Sequence, residues 1–241
     1  IVVTPEGFLV AIGANSDQRA LVWADQGSLT DWTPTSINQA GSLELQTEGA
    51  SMCGTALRSQ TLIWTTTDVH ALTYVGLPAV YRLDRVGEQC GIVSKGAYAT
   101  SGSFCFWMSR YGFHVYDGGS VRKINCEIWD DVFSDINWTQ ASKITMQMNA
   151  RFSEFIVRWC SAGSTEIDRC AAYNIEEDNW MLHPSMTRLA GIDSNPFSNP
   201  IMVDSTGYLY DHENGYLYDG ATPYATSGPM EIGSGDRNAK V

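Results

Sequence analysis

Aromatic anchors recur along this chain at a spacing no single sheet or helix bundle accounts for. Trp23, Trp64, Trp107, Trp159 and Tyr210 each sit in a short strand-like run, separated by roughly 40 to 50 residues, the length of one four-stranded unit in a radial repeat. Around each anchor the same elements reappear. Gly7–Gly13, Ala20–Ala24 and Thr30–Pro34 form a first unit, Ala50–Gly54, Thr61–Thr65 and Ala71–Gly76 a second. Gly91–Ala99, Ser103–Met108 and Gly112–Tyr116 form a third, and Lys143–Met148, Glu154–Trp159 and Arg169–Tyr173 a fourth. The runs have strand length and are bounded by Gly, Asn, Asp and Ser, so neighbours pair as hairpins. The fifth unit, Leu189–Asp193 and Pro200–Val203 followed by residues 203–220, states the pattern most openly. Tyr208-Leu209-Tyr210 and Tyr216-Leu217-Tyr218 read as strands, with turns at Asp204–Gly207 and Asp211–Gly215, where Gly and Asn accept positive φ and Asp bonds backbone N–H groups two residues on.

Small twisted sheets of this kind bury their faces on one another when stacked radially, which leaves only short edges exposed. The expected fold is therefore all-β, a β-propeller of four-stranded antiparallel blades with about five recognisable units. It spans residues 1–241 as one domain, incomplete at both ends and part of a longer propeller. Ala172–Trp180 also resembles the strand, turn and Trp of a Kelch blade. Composition agrees: 44% hydrophobic residues suffice for a core, and 22 glycines with only 17% charged residues favour strands over helices. One segment breaks the rhythm. Within 121–138, Cys126, Trp129, Val132, Phe133 and Ile136 fall at helical spacing, so a short helical or irregular insertion between blades is expected there, with Glu127, Asp130, Asp131 and Asp135 on its solvated face.

The charge and cysteine patterns limit the function classes. A formal net charge of −12 argues against a protein that grips phosphates, and leaves open a wall past which DNA slides without sticking. The six cysteines (Cys53, Cys90, Cys105, Cys126, Cys160, Cys170) stand singly, without zinc spacing, and read as small buried hydrophobes of a reducing compartment. No apolar run approaches the roughly 20 residues that span a bilayer. The opening Ile1–Gly7 lacks the features of a signal peptide, so the chain is expected to begin inside a longer protein.

Each constellation that might carry chemistry has a plainer reading. Asp211-His212-Glu213 places a His between carboxylates, but adjacent hairpin residues face opposite ways and converge only in an irregular turn, so a polar loop tip is expected. Asp68 and His70 could share a strand face and pair, with no nucleophile motif beside them. His114 reads as a packed sheet residue, His183 as a loop residue, and Glu176–Asp178 as a charged hairpin tip. Asp25-Gln26-Gly27 before Trp32 resembles a sialidase Asp-box, yet the Trp falls two residues late. Gly118-Gly119 has no following Lys-Ser or Lys-Thr, so phosphate-loop fingerprints fail. No catalytic, cofactor-binding or metal residue is assigned, no cofactor is expected, and by elimination the chain is not read as an enzyme.

The order of motifs supplies a resemblance. Ala11–Ala14, Leu21–Asp25, Thr30–Trp32, Leu62–Thr65, Tyr74–Gly76, Phe106–Met108, Tyr116–Gly118, Asp178–Trp180, Asp211–Gly215 and Ser227–Asp236 follow one another in a way that resembles the central β-propeller region of tail hub or nozzle (stabilisation) proteins of short-tailed double-stranded DNA bacteriophages. The resemblance implies a structural virion protein of the tail, made in the host bacterial cytoplasm. It implies a homohexameric ring docked beneath portal and adaptor proteins, in contact with other tail proteins, through which double-stranded DNA passes without sequence-specific binding. Blade edges and loops such as Asp193–Asn199 are the expected ring contacts. The alternative is a carbohydrate-binding or glycan-cleaving propeller, which needs two convergent acids in an aromatic-lined pocket. A Kelch-like scaffold for partner proteins is a third reading.

Overall fold

The computed structural model describes residues 1–183, 188–193, 197 and 199–215. Its strands fall into five consecutive sheets. The first holds β1 (Val2–Val3), β2 (Leu9–Ile12), β3 (Ala20–Trp23) and β4 (Gly41–Glu44), and the second β5 (Ser51–Ala56), β6 (Thr61–Thr65), β7 (Val69–Gly76) and β8 (Val80–Gly87). The third holds β9 (Tyr98–Ser101), β10 (Phe104–Ser109), β11 (Gly112–Tyr116) and β12 (Val121–Ile124). The fourth holds β13 (Thr145–Asn149), β14 (Glu154–Trp159), β15 (Arg169–Asn174) and β16 (Asn179–His183), and the fifth β17 (Arg188–Ile192), β18 (Ile201–Asp204) and β19 (Leu209–Asp211). Within every sheet the strands pair in chain order, each antiparallel to the next.

The sheets are joined through their first strands. β9 packs beside β13, β13 beside β17, and β1 beside β5. Gly96, just before β9, bridges in parallel to Thr145 at the start of β13, and the Met146 N–H donates to the Gly96 carbonyl at 2.8 Å. Neighbouring first strands thus run the same way while the later strands of each sheet lie progressively further from that junction. This is the arrangement of a β-propeller built from four-stranded antiparallel blades.

Aromatic pairs zip the blades together. Trp23 of the first blade meets Tyr81 of the second edge-on, with ring centroids 5.2 Å apart. Trp64 of the second meets Trp107 of the third at 5.7 Å, and stacks on Tyr98 at 5.4 Å. Phe106 of the third meets Phe155 of the fourth at 5.0 Å. Pairs of this geometry stabilise by about 0.5–1.5 kcal/mol each beyond the area they bury, so the aromatic repeat in the sequence marks where blades touch. Trp107 also ties its blade to the preceding connector, its indole N–H donating to the Cys90 carbonyl at 2.6 Å.

Two anchors sit on a different strand from the one the repeat suggests. Trp64, Trp107 and Trp159 lie on second strands, but Trp23 is on β3 and Tyr210 on β19, the third strands of their blades. Both middle strands of a blade face the inter-blade core, so either can carry the anchor. The short first strand Val2–Val3 and the strand Arg188–Ile192 shift the count by one. The segment 121–138 also divides differently. Val121–Ile124 pairs with β11 and completes the third blade. Only α1 (Trp129–Phe133) is helical, a single turn followed by a 3-10 turn at Trp138–Lys143. Val132, Phe133 and Ile136 are buried and Trp129 is partly exposed, so the helical spacing marks a packed turn. In the fifth blade, β19 pairs with β18 across the turn at 205–208, where Asp204 accepts from the Thr206 and Tyr208 N–H groups at 2.9 and 3.1 Å. Tyr216–Tyr218 and Ser227–Asp236 lie outside the described residues, as does most of the loop 193–199.

All six cysteines are free thiols. Burial pushes Cys53, Cys90 and Cys170 up to about 12. They therefore behave as small apolar side chains. No helix among the described residues is long and apolar enough to cross a membrane.

Candidate functional site

Strand alternation gives the fourth blade two unlike faces. Phe155, Val157 and Trp159 of β14, Met146 and Met148 of β13, and Ala171 and Tyr173 of β15 point into the apolar core shared with the third blade. The intervening residues point towards the fifth blade, and many are polar: Gln147, Asn149, Glu154 and Arg158, with Ile156, Cys170 and Ala172 between them. Between the other blades the junction is aromatic; here it is a cleft.

Arg158 occupies the middle of the cleft. It is fully buried, 0% exposed, opposite Cys170 in the β14–β15 register. One terminal nitrogen, Nη2, donates to Gln147 Oε1 at 2.8 Å and lies 3.4 Å from Met202 Sδ of β18. Nε and Nη1 have no hydrogen-bond partner among the described residues, and neither does Gln147 Nε2. Burial lowers the Arg158 pKa to about 10, offset in part by the Cys170 thiol. A buried cation without a carboxylate partner is costly, so its surroundings are informative.

Two cavities flank it. On the first-strand side, an open cavity of about 340 Å³ is lined by Lys95, Gly96, Thr145, Arg158, Ala190 and Gly191, with Tyr98 and Met146 alongside. Towards the outer strands, about 410 Å³ is lined by Asn149, Glu154, Cys170, His183, Met202, His212 and Glu213 among others. Glu154 is half-buried, and burial first, then the Glu213 charge, raises its carboxyl above the usual range. Glu213 Oε1 lies 3.5 Å from Asn149 Nδ2. Arg188 donates from Nε to His212 Nε2 at 2.9 Å and lies over the Tyr210 ring at 3.6 Å.

The Asp211-His212-Glu213 tip is irregular. Glu213 has φ +59°, and this left-handed residue carries both His212 and Glu213 to the cleft, contrary to the alternation expected of a regular hairpin. Asp211 instead accepts from Asn214 Nδ2 at 3.0 Å and Asn199 Nδ2 at 3.4 Å. His183 ends β16 and lines the cleft instead of sitting in a loop. Among the described residues no group of three His, Cys, Asp or Glu is placed to hold a metal ion.

The remaining sequence candidates are elsewhere. Asp68 and His70 do not pair. Asp68 accepts from the Thr47 and Thr67 hydroxyls at 2.6 and 3.0 Å, tying the connector before the second blade to its β6–β7 turn. His70 is buried with neither ring nitrogen in hydrogen-bond geometry, although the Gln46 carbonyl and Asp68 favour its charged form; burial outweighs both and lowers its pKa. His114 stacks on Trp107 at 5.5 Å, shares a 3.0 Å hydrogen bond with Ser109 Oγ, and is lowered by burial to about 4. A separate groove of about 270 Å³ is lined by Arg110, Tyr111, Trp129, Phe133 and Trp138, with the Arg110 guanidinium 5.3 Å from the Trp138 ring centroid.

Sequence reasoning passed over Arg158, Gln147 and Glu154. Their signal is the alternation in Thr145–Asn149 and Glu154–Trp159, but a polar face towards water and one towards another blade look alike in sequence.

The fold and the cleft are those of a β-propeller with a polar inter-blade junction. No family model matches the chain, and no curated protein matches it. Among solved structures it is similar to a chain in the crystal structure of a nidogen/laminin complex, with TM-score 0.42 and 9% identity over 82% of this chain and 71% of that one. It is also similar to the AfRom2 CNH domain, with TM-score 0.41 and 10% identity over 85% of this chain and 66% of that one. Likeness of this depth bears on neither activity nor partners.

Proposed function

We propose that the chain is architecture, not an enzyme: a blade-built component of the tail nozzle or hub of a short-tailed double-stranded DNA bacteriophage, assembled as a homohexameric ring around the path of the genome. In this reading it resides in the virion tail after synthesis in the host cytoplasm, docked to portal-adaptor and other tail proteins. The motif order that runs through nearly the whole chain supports it. So does the net charge of −12, since a polyanion passes an acidic wall without the counterion release that makes basic surfaces sticky.

The observation that carries the reading is an apolar rim on the first two blades. The β3–β4 loop of the first blade meets strand β7 of the second, where Tyr74 Oη donates to Gln39 Oε1 at 3.4 Å. Leu29 and Ile37 of that loop are exposed by 76% and 95%, as is Leu77 by 69% just after β7, and Val75 near the end of β7 is exposed too. Large apolar side chains grouped on one surface mark a protein contact. Light scattering on the purified chain tests this: the native protein is expected as a multi-subunit species, and Leu77→Asp with Ile37→Asp as a folded monomer. A monomeric native chain at tens of micromolar would count against the ring.

The glycan reading is favoured by one feature, the shared setting of Glu154 and Glu213. Its two requirements are largely divided, however: the acids line the cleft between the fourth and fifth blades with Phe152 beside them, whereas Tyr111, Trp129 and Trp138 line a different groove. Glycan-array binding lost in Glu154→Gln would establish that reading in place of the first.

A further inference from the structure

We infer that the cavity beside the first strands of the third, fourth and fifth blades is a binding site for a small oxyanion, a phosphate or carboxylate group, held by Arg158 with Lys95 at the mouth. The inference is independent of the ring. It rests on an unsatisfied cation and on the make-up of the space in front of it.

Arg158 presents a planar fork of N–H donors, and only Nη2 is used, on Gln147 and towards Met202. Nε and Nη1 remain without partners among the described residues although the side chain is 0% exposed. A guanidinium taken from water with most of its N–H groups idle is a strongly unfavourable arrangement, and it becomes favourable when an oxyanion accepts from Nη1 or from Nε. Arg matches carboxylate and phosphate oxygens two at a time, which Lys does not. Of the described residues lining this cavity, Lys95 and Arg158 are the charged ones, both cationic, and none is acidic. Lys95 is exposed where Arg158 is buried, so the pair forms an entrance and a floor.

The walls are kept low by glycine. Gly191 lies so close to its neighbours that a Cβ would fall 2.5 Å from Gln147 Oε1 and 2.8 Å from Met202 Cγ, the two atoms' side chains that orient Arg158. Thr145, whose hydroxyl donates to the Leu189 carbonyl at 3.4 Å, stands at the rim. The space, about 340 Å³ and open on one side, admits a small anion with some of its water. A phosphate of duplex DNA is held on a bulky cylinder and does not reach a side chain buried to this degree, so the ligand is a free small anion or the carboxylate or phosphate of a small molecule.

The test uses the purified chain in chloride buffer at constant ionic strength, with thermal unfolding followed as sodium phosphate, sodium acetate or further sodium chloride is added. Phosphate or acetate is expected to raise the midpoint along a saturating curve that chloride does not reproduce. Saturation by both defines a general oxyanion site, and saturation by acetate alone a carboxylate site. Arg158→Met is expected to abolish the saturating part, and Lys95→Gln to weaken it several-fold with the fold unchanged by circular dichroism. Absence of any anion-specific, saturating shift in the native chain overturns the proposal, whether or not Arg158→Met folds. So does an equal shift in Lys95→Gln and Arg158→Met.

Discussion

Gly91 offers the sharpest test of how the blades are locked together. The connector between the second and third blades runs directly over the β6–β7 turn. The N–H groups of Cys90 and Gly91 both donate to the Thr67 carbonyl at 2.9 Å, and the Ile92 N–H donates to the Thr65 carbonyl at 3.2 Å. A Cβ on Gly91 would fall 2.3 Å from the Thr66 carbonyl carbon, 2.4 Å from its oxygen and 2.4 Å from the Thr67 nitrogen. Those atoms are backbone and belong to a turn fixed by Asp68 and three threonine hydroxyls, so they do not swing aside. Gly91→Ala must therefore move the connector away from the turn. Two or three backbone hydrogen bonds at about 1 kcal/mol each, with about 1–3 kcal/mol for overpacking, give a loss of about 3–6 kcal/mol. Urea unfolding reads this as a lower midpoint at constant slope. Gly163 is the control, because a Cβ there meets nothing within 4 Å, and Gly163→Ala is expected within about 0.5 kcal/mol of the native chain. Equal stabilities for Gly91→Ala and Gly163→Ala would refute the claimed close approach.

Other expectations follow from the buried titratable groups. His114 has a folded pKa lowered to about 4 against an unfolded value of about 6.5. The unfolded chain thus binds more protons between these values, and stability contributed by neutral His114 is complete above pH 6.5 and lost as pH falls towards 4, by up to about 3 kcal/mol. His114→Phe should flatten the stability profile in that window by nearly one proton; an unchanged slope would show that His114 does not titrate in this way. The thiols should be inert in the folded chain: with Cys53, Cys90 and Cys170 raised to about 12, their reaction with a thiol reagent at pH 8 should be slower than that of a free cysteine by about a thousandfold. In denaturant without reductant all six cysteines should react, and a count of four or fewer would indicate a disulfide.

Much of the fold could be read from the chain because the forces that build it are local and periodic. Strand-length runs ended by Gly and Asp mark hairpins, and the large aromatic residues mark the interfaces, as Trp64 against Trp107 and Phe106 against Phe155 show. What period alone does not give is which middle strand carries the anchor, since both face the same core; hence the displaced positions of Trp23 and Tyr210. The strand Val121–Ile124 was hidden because Arg122 and Lys123 are polar and exposed on an edge strand. The cleft was less legible. Arg158 sits between the apolar Val157 and Trp159, and its role depends on Gln147 of the paired strand and on Gly191 and Met202, which approach only when two blades meet. Glu213 enters the site through a single positive φ, a backbone choice that a non-glycine residue does not advertise.

Electron microscopy of the purified chain, with class averages viewed down the particle axis, tests the central claim most directly. The account predicts closed rings of repeated propellers around an open centre. A field of isolated single propellers with no ring classes would contradict it.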